Sequence, residues 1–128
     1  MSGILIVEDD KELREMLKTS LTRRKHTVYE TGNGREAITH FRAGVTDLVV
    51  TDLIMPEEDG LKVIIKLREI KPSIKIIAIS GGGKAGPGSY LNLARALGAD
   101  AIFSKPFSTN DLIAKIEELL SGEQVKEN

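Results

Sequence analysis

The sequence predicts one α/β domain, a three-layer, doubly wound (βα)5 sandwich made of five successive strand–helix units. Two periodicities alternate along its 128 residues. Short apolar runs without polar alternation are typical of strands buried on both faces of a parallel sheet. The segments between them carry apolar residues at helical spacing. Parallel strands joined by helices need right-handed crossovers, which place helices on both faces of the sheet.

Five segments are predicted as strands. Three of them are continuously apolar, which indicates interior positions in the sheet. The second alternates apolar and polar residues and is expected at one edge, and the short fifth segment is expected at the opposite edge. The five segments are Ile4–Val7, Thr27–Thr31, Leu48–Val50, Ile76–Ile79 and Ala101–Phe103.

Each predicted strand is followed by a helical pattern, and several helix ends carry recognisable caps. Asp10 and Ser108 suit N-caps, whereas Gly44 and Gly98 suit C-caps. The glycine-rich loop 81–88 is expected to be mobile until a ligand orders it. The polar end of the chain is expected to fray, so we assign residues 1–121 to the domain and 122–128 to a C-terminal tail.

Composition excludes several classes of function. The chain has no cysteine, so disulfides, thiolate zinc sites, iron–sulfur clusters and cysteine nucleophiles are ruled out. Its net charge of -1 gives no electrostatic reason to bind nucleic acid or an anionic membrane. No apolar run is long enough to span a membrane, and no basic leader precedes the first strand. A cytoplasmic location is therefore expected.

Polar side chains follow four of the five strands at the point where each strand ends. Glu8, Asp9 and Asp10 follow the first, Asp52 the third, Ser80 the fourth and Lys105 the fifth. Ligands of open parallel sheets bind beyond the carboxyl ends of the strands, so these residues are expected to lie together. Each one alone would be an ordinary turn former, cap or solvated side chain. Their joint placement favours a functional site.

Closely spaced carboxylates repel one another, and a divalent cation relieves that repulsion. Oxygen ligands suit Mg²⁺. An aspartate beside such an ion is a plausible nucleophile toward a phosphoryl group, and the Lys105 ammonium could neutralise charge on the phosphoryl oxygens. The Ser80 hydroxyl could donate a hydrogen bond to the same oxygens.

The stretches that carry these residues resemble the receiver domains of two-component response regulators, and the resemblance covers essentially the whole chain. It implies a flavodoxin-like fold with the sheet order 2-1-3-4-5. The segments with Asp-x-x-Met-Pro-x-x-Asp-Gly and Lys-Pro-Phe are the most specific. The matching stretches are Val7-Glu8-Asp9-Asp10, Asp52-Leu53-Ile54-Met55-Pro56-Glu57-Glu58-Asp59-Gly60, Ser80 and Lys105-Pro106-Phe107.

The resemblance implies a magnesium site built around the phosphoacceptor, Asp52. Asp10 would bind Mg²⁺ directly, and Asp9 would assist largely through water. Asp52 itself and the backbone carbonyl of Ile54 would complete the protein ligands. The implied domain is a signalling module that completes its own phosphotransfer and slow dephosphorylation, and it is not a metabolic enzyme.

The resemblance also implies a switch and a set of partners. Ser80 would move toward the phosphoryl group, Lys105 would pair with it through a loop with a cis Lys105–Pro106 bond, and Phe103 would rotate inward. Ser80 replaces the commoner threonine, and Phe103 lacks the hydroxyl of the tyrosine often found there. A sensor histidine kinase or phosphotransfer protein would supply the phosphoryl group. A downstream protein or output domain would read the surface of the fourth helix, fifth strand and fifth helix, which could also form a homodimer.

Three other interpretations fit parts of the sequence. A degenerate receiver could act as a phosphorylation-independent binding module. Residues 32–37 fit the dinucleotide pattern G-x-G-x-x-A, but their ordinary interpretation is a tight turn into the second helix. A phosphatase of the haloacid-dehalogenase type would need an acid two positions after Asp52, where Ile54 stands.

His26 and His40 are expected to be exposed and unrelated to a metal site.

Overall fold

The structure, a computed structural model, describes residues 2–54, 60–81 and 87–122. For residues 87–91 it describes the backbone alone. Strands and helices alternate throughout these residues, as the sequence predicts. The strands are β1 (Gly3–Val7), β2 (Thr27–Thr31), β3 (Leu48–Asp52), β4 (Lys75–Ser80) and β5 (Ala101–Ser104). The helices are α1 (Lys11–Arg23), α2 (Gly34–His40), α3 (Gly60–Ile70), α4 (Pro87–Ala96) and α5 (Thr109–Ser121).

The strands form one parallel sheet in the order β2-β1-β3-β4-β5. The predicted order is therefore confirmed, and so are the predicted edge positions of β2 and β5. Because the strands are parallel, their carboxyl ends share one edge of the sheet. The residues after β1, β3, β4 and β5 all lie along that edge.

Apolar side chains fill a separate core on each face of the sheet. On one face, Leu5, Val49 and Ile76 pack with residues of α2 and α3 and with Ala94 of α4. On the other face, alternate strand residues pack with α1 and α5. The strands therefore bury both faces, which explains their continuous apolar runs. Within the described residues, no helix is long and apolar enough to cross a membrane.

Three of the four predicted caps are confirmed. The side chains of Asp10 and Ser108 accept backbone N–H groups at the starts of α1 and α5. Gly98 has φ +107°, and the N–H groups of Gly98 and Ala99 donate to Arg95 and Ala94, which is a Schellman motif. The prediction for Gly44 was wrong.

Helix α2 ends earlier than the position of Gly44 requires. The chain turns to extended backbone at Phe41 (ψ 128°), whose ring packs against the core beneath α2 and α3. The helix therefore ends before Gly44, which lies in the turn that follows.

His26 is buried, which corrects the expectation that it is exposed. Lys25 turns the chain with φ +76°, and the His26 N–H donates to Leu21. His26 Nε2 then lies 3.0 Å from Glu117 Oε2 of α5. His40 is exposed on α2, as predicted. The predictions of mobility for the loop 81–88 and of fraying for the tail 122–128 fall mostly on residues 82–86 and 123–128, which lie outside the described residues. Pro87 and Gly88 belong to α4, and Gly122 is the C-cap of α5.

Gly60 packs so closely on the end of β3 that we predict a large cost for a side chain there. A Cβ at Gly60 would lie 2.7 Å from the Asp52 carbonyl oxygen and would also overlap Leu53. Gly60→Ala should lower the free energy of unfolding by about 1–3 kcal/mol in urea denaturation. Gly44→Ala is the control, because nothing lies within 4 Å of its Cβ position, and it should change stability by less than about 0.5 kcal/mol. Equal losses in the two variants would contradict this packing account.

Candidate functional site

Strand alternation decides which side chains meet at the carboxyl edge of the sheet. Successive side chains of a strand point to opposite faces, so positions two apart share a face. Glu8, Asp52 and Lys105 each lie two positions after a residue that packs on the α1 and α5 face. Those preceding residues are Ile6, Val50 and Phe103.

Asp52 is held in a fixed orientation at the end of β3. It is only 3% exposed. One carboxylate oxygen, Oδ1, accepts the Ile54 N–H at 2.9 Å, and the other, Oδ2, lies 2.9 Å from Lys105 Nζ. A buried carboxylate needs such partners because it has left water. Asp52 is therefore oriented by the backbone and paired with the Lys105 ammonium.

Lys105 reaches Asp52 because its backbone and stem are placed by β4. The Lys105 N–H donates to the Ser80 carbonyl at 2.9 Å. Gly81 leaves space for the stem, since a Cβ there would lie 2.8 Å from Lys105 Cδ. Burial by itself would lower the pKa of Lys105, but the hydrogen bonds and charges of Asp52 and Glu8 outweigh it and raise this pKa. The ammonium is thus charged under ordinary conditions.

Glu8 is the functional side chain that sequence reasoning missed. It is 1% exposed, and its Oε2 accepts the Asp10 N–H at 2.9 Å. Lys105 Nζ lies 3.2 Å from both carboxylate oxygens, although only Oε2 has hydrogen-bond geometry and Oε1 is left without a partner. Burial raises the pKa of Glu8 to about 7; the Asp10 N–H and Lys105 oppose this rise, and the charge of Asp52 adds to it.

Three carboxylates form a group that fits a divalent cation. Glu8, Asp9 and Asp52 each offer an oxygen, and these oxygens lie within 4.8 Å of one another. Two of the three side chains are buried, so their mutual repulsion is poorly screened by water. A hard cation such as Mg²⁺ prefers an all-oxygen set of this kind.

Asp10, which was expected to be the direct metal ligand, lies outside this group. Its Oδ1 accepts the N–H groups of Glu12 at 3.0 Å and Leu13 at 3.3 Å, which makes it the N-cap of α1. Alternation from Ile6 points Glu8 toward Asp52, and the chain has already turned into the helix at Asp10. The structure therefore groups Glu8 and Asp9 with Asp52, and the ligand role expected of Asp10 stays a prediction.

The remaining predicted residues lie beside this group, but their roles stay predictions. Ser80 is fully buried at the end of β4, and its Oγ has no hydrogen-bond partner among the described residues. Phe103 is half-buried on β5 and packs edge-to-face on Phe107, with ring centroids 5.8 Å apart. Ile54 has an exposed side chain, and its N–H is already bonded to Asp52. The Lys105–Pro106 bond is cis, as predicted.

Glu8 should make the metal-free protein less stable as the pH rises. Between its ordinary pKa of 4.5 and about 7, the folded protein keeps a proton that the unfolded chain releases, so the free energy of unfolding falls with rising pH. Glu8→Gln should reduce the stability loss between pH 5 and pH 8, as measured by urea unfolding in EDTA. The exposed Glu12→Gln should leave that loss unchanged, and an equal loss in all three proteins would contradict the assignment.

Comparisons with known proteins point to one family. A family model, the response regulator receiver domain, matches residues 4–117. The response regulator receiver protein CpdR of Brucella abortus is 34% identical over 121 residues, which cover 94% of this chain and 98% of CpdR. The response regulator TrrA of Thermotoga maritima, solved in complex with Mg(2+)-BeF, is 33% identical with a TM-score of 0.78. That match covers 93% of this chain and 99% of TrrA.

Other relatives are much longer than this chain. The DNA-binding transcriptional regulator NtrC of Azospirillum brasilense is 32% identical over 121 residues, which cover 93% of this chain and 24% of NtrC. The chain also spans 12% of the sensor kinase CckA of Brucella abortus, at 37% identity over 91% of this chain. The shared segment is therefore the receiver segment alone. The chain belongs to the response regulator receiver domain family, whose members are signalling domains of two-component systems.

Proposed function

We propose that this chain accepts a phosphoryl group on Asp52 in a Mg²⁺-dependent reaction and then changes a surface that a partner reads. The observation that carries the proposal is the convergence of Asp52, Lys105 and the carboxylates of Glu8 and Asp9 at one edge of the sheet. The donor would be a sensor histidine kinase or a phosphotransfer protein. In the transfer, a carboxylate oxygen of Asp52 forms a bond to phosphorus, and the bond from phosphorus to the donor breaks.

Asp9, Asp52 and the backbone carbonyl of Ile54 would hold the metal. Glu8 would assist largely through water, which is the role that the resemblance implies for Asp9. The bound Mg²⁺ would supply positive charge to the phosphoryl oxygens and lessen the repulsion among the carboxylates. Glu8 Oε1 supports this assignment, because it is buried and accepts no hydrogen bond from the described residues, although Lys105 Nζ lies 3.2 Å away. Such an oxygen suits a metal or its water.

Lys105 and Ser80 would stabilise the transferred phosphoryl group. Lys105 already contacts Asp52 and would follow the new negative charge onto the phosphoryl group. The buried Ser80 Oγ makes no hydrogen bond to any residue that the structure describes, so it could donate one to a phosphoryl oxygen without losing such a bond. The near-complete burial of Asp52 would limit access of water to the acyl phosphate. Phosphotransfer and slow self-dephosphorylation would be the chain's only catalysis.

The output would follow from a population shift. A state in which Ser80 contacts the phosphoryl group, and Phe103 has moved away from Phe107, would be favoured only by those differential contacts. The surface formed by α4, β5 and α5 would then change for a downstream protein, an output domain or a second copy of this chain. We place this function in the cytoplasm and in residues 1–121, with 122–128 as a tail.

The proposal is tested by intact mass after incubation with acetyl phosphate. A gain of about 80 Da, one phosphoryl group, is expected with Mg²⁺ and not with EDTA. No gain in either condition, and none from a phosphorylated histidine donor, would favour the alternative of a phosphorylation-independent binding module. An equal gain in mass with EDTA and with Mg²⁺ would contradict the role of the metal.

A further inference from the structure

We propose that Arg14 is a positioning residue of the metal site, which fixes the backbone of Glu8 so that the Asp9 carboxylate faces the ion. This inference rests on the proposed Mg²⁺ site. Arg14 lies on α1, and its side chain is 20% exposed. Its Nη1 donates to the Glu8 carbonyl oxygen at 2.8 Å, and its Nε donates to Glu30 Oε1 of β2 at 3.1 Å.

Glu8 is anchored from three different elements of the fold. Its N–H donates to the Thr31 carbonyl of β2 at 3.0 Å, its carboxylate binds Lys105, and its carbonyl takes the bond from Arg14. Asp9 follows directly and its side chain is exposed, so packing does not orient it. The backbone anchors on Glu8 therefore set the direction in which Asp9 points.

Glu30 holds the guanidinium in place. Its second oxygen, Oε2, accepts Lys18 Nζ at 2.9 Å. The hydrogen bond from Lys18, followed by the charges of Lys18 and Arg14, lowers the pKa of Glu30 against the effect of its partial burial. Glu30 thus stays ionised and fixes the rotamer that aims Arg14 at the Glu8 carbonyl.

Gly32 leaves the space that this contact needs. A Cβ at Gly32 would lie 3.3 Å from Arg14 Nη1 and 4.0 Å from the Glu8 carbonyl oxygen. A side chain there would press on the guanidinium where it meets the carbonyl. This packing gives a physical reason for a glycine at the first position of the Gly-x-Gly turn.

Only an arginine can make both contacts from one rigid group. The guanidinium presents several N–H donors in a planar fork, whereas the lysine ammonium is a single centre on a flexible stem. Arg14 could affect Mg²⁺ binding through its charge or through positioning, and the two effects have opposite signs. The positive charge of Arg14 repels a nearby cation, so removing the charge alone should strengthen Mg²⁺ binding. Losing the hydrogen bond that positions Glu8 should weaken Mg²⁺ binding.

The test is calorimetric titration of the full chain with Mg²⁺. Arg14→Met should weaken binding by about tenfold, the lower end for residues that support metal ligands. Arg14→Lys should not restore it, although the charge is kept. Lys18→Met is the matched control, because Lys18 is one turn away and shares Glu30 but does not touch Glu8; its affinity should match or exceed that of the wild type. Gly32→Ala should weaken binding less than Arg14→Met does.

The outcomes separate this inference from the proposed function. If the wild type shows no saturable Mg²⁺ binding, the metal site itself fails. If the wild type binds and Asp9→Asn does not, but Arg14→Met binds as well as or better than the wild type, the positioning role is overturned. Thermal unfolding in EDTA verifies that each variant is folded at the titration temperature. If Arg14→Met does not fold, wild-type affinity in both Arg14→Lys and Gly32→Ala overturns the inference.

Discussion

Asp52→Asn should abolish phosphoryl uptake from acetyl phosphate, as measured by intact mass. The wild type is expected to gain about 80 Da in the presence of Mg²⁺, and the variant should gain nothing. The amide of asparagine is nearly the same size as the carboxylate, and its oxygen can still accept the Ile54 N–H. It lacks the anionic oxygen that must attack phosphorus, so the chemistry is lost while the packing is kept.

Asp111→Asn is the matched control for this loss. Asp111 is an exposed residue in the first turn of α5, where one charge affects stability only slightly. This variant should take up as much phosphoryl group as the wild type. Full uptake by Asp52→Asn would show that another residue is the acceptor and would contradict the assignment.

Asp9→Asn should weaken Mg²⁺ binding by at least about tenfold, whereas Asp10→Asn should leave it close to the wild-type value. The two residues are adjacent, and both changes remove one negative charge, so a purely electrostatic effect would be similar. Only Asp9 belongs to the group of three close carboxylates. Asp10 is occupied as the N-cap of α1, a place that asparagine fills as well.

Asp10→Ala gives the complementary result. Removing the cap should cost about 1 kcal/mol of stability in urea denaturation, and Mg²⁺ binding should remain. If Asp10→Asn weakens Mg²⁺ binding as much as Asp9→Asn does, then Asp10 is a metal ligand, and the pairing of Glu8 with Asp9 is wrong.

The sequence predicted the fold because each level of its pattern pointed to the same answer. Continuous apolar runs marked the interior strands β1, β3 and β4, and alternation marked the edge strand β2. Because parallel strands end at the same edge of a sheet, the sequence also predicted that Asp52 and Lys105 lie together. Helix ends were less reliable. Phe41 leaves the helical conformation and packs on the core, and such a tertiary contact is not visible in the local sequence pattern.

The difference between the expected acidic pair and the carboxylates that the structure groups has a specific cause. Three consecutive acidic residues carry no information about which two face the sheet edge. Extending the alternation of Ile4 and Ile6 by two positions would have selected Glu8. The capping pattern gave a second signal, because a carboxylate that caps α1 at Asp10 is no longer available to a metal. Both signals are local, and reading them together would have found the pair.

The glycine motif of residues 32–37 is explained without a nucleotide. Asn33 caps α2, since its Oδ1 accepts the Glu36 N–H at 2.8 Å. Gly32 makes room for Arg14 beside Glu8. The ordinary interpretation of this segment, a tight turn into α2, is therefore confirmed by its geometry.

The most direct test of the central claim is to identify which residue carries the phosphoryl group. The wild-type chain would be phosphorylated with acetyl phosphate and Mg²⁺ and then treated with borohydride. The hydride reduces the acyl phosphate carbon to an alcohol and releases phosphate, so a phosphorylated aspartate becomes homoserine. Peptide mass mapping should find homoserine at position 52 and nowhere else. Homoserine at position 9, 10 or 59, or none in protein that has gained one phosphoryl group, would contradict the account.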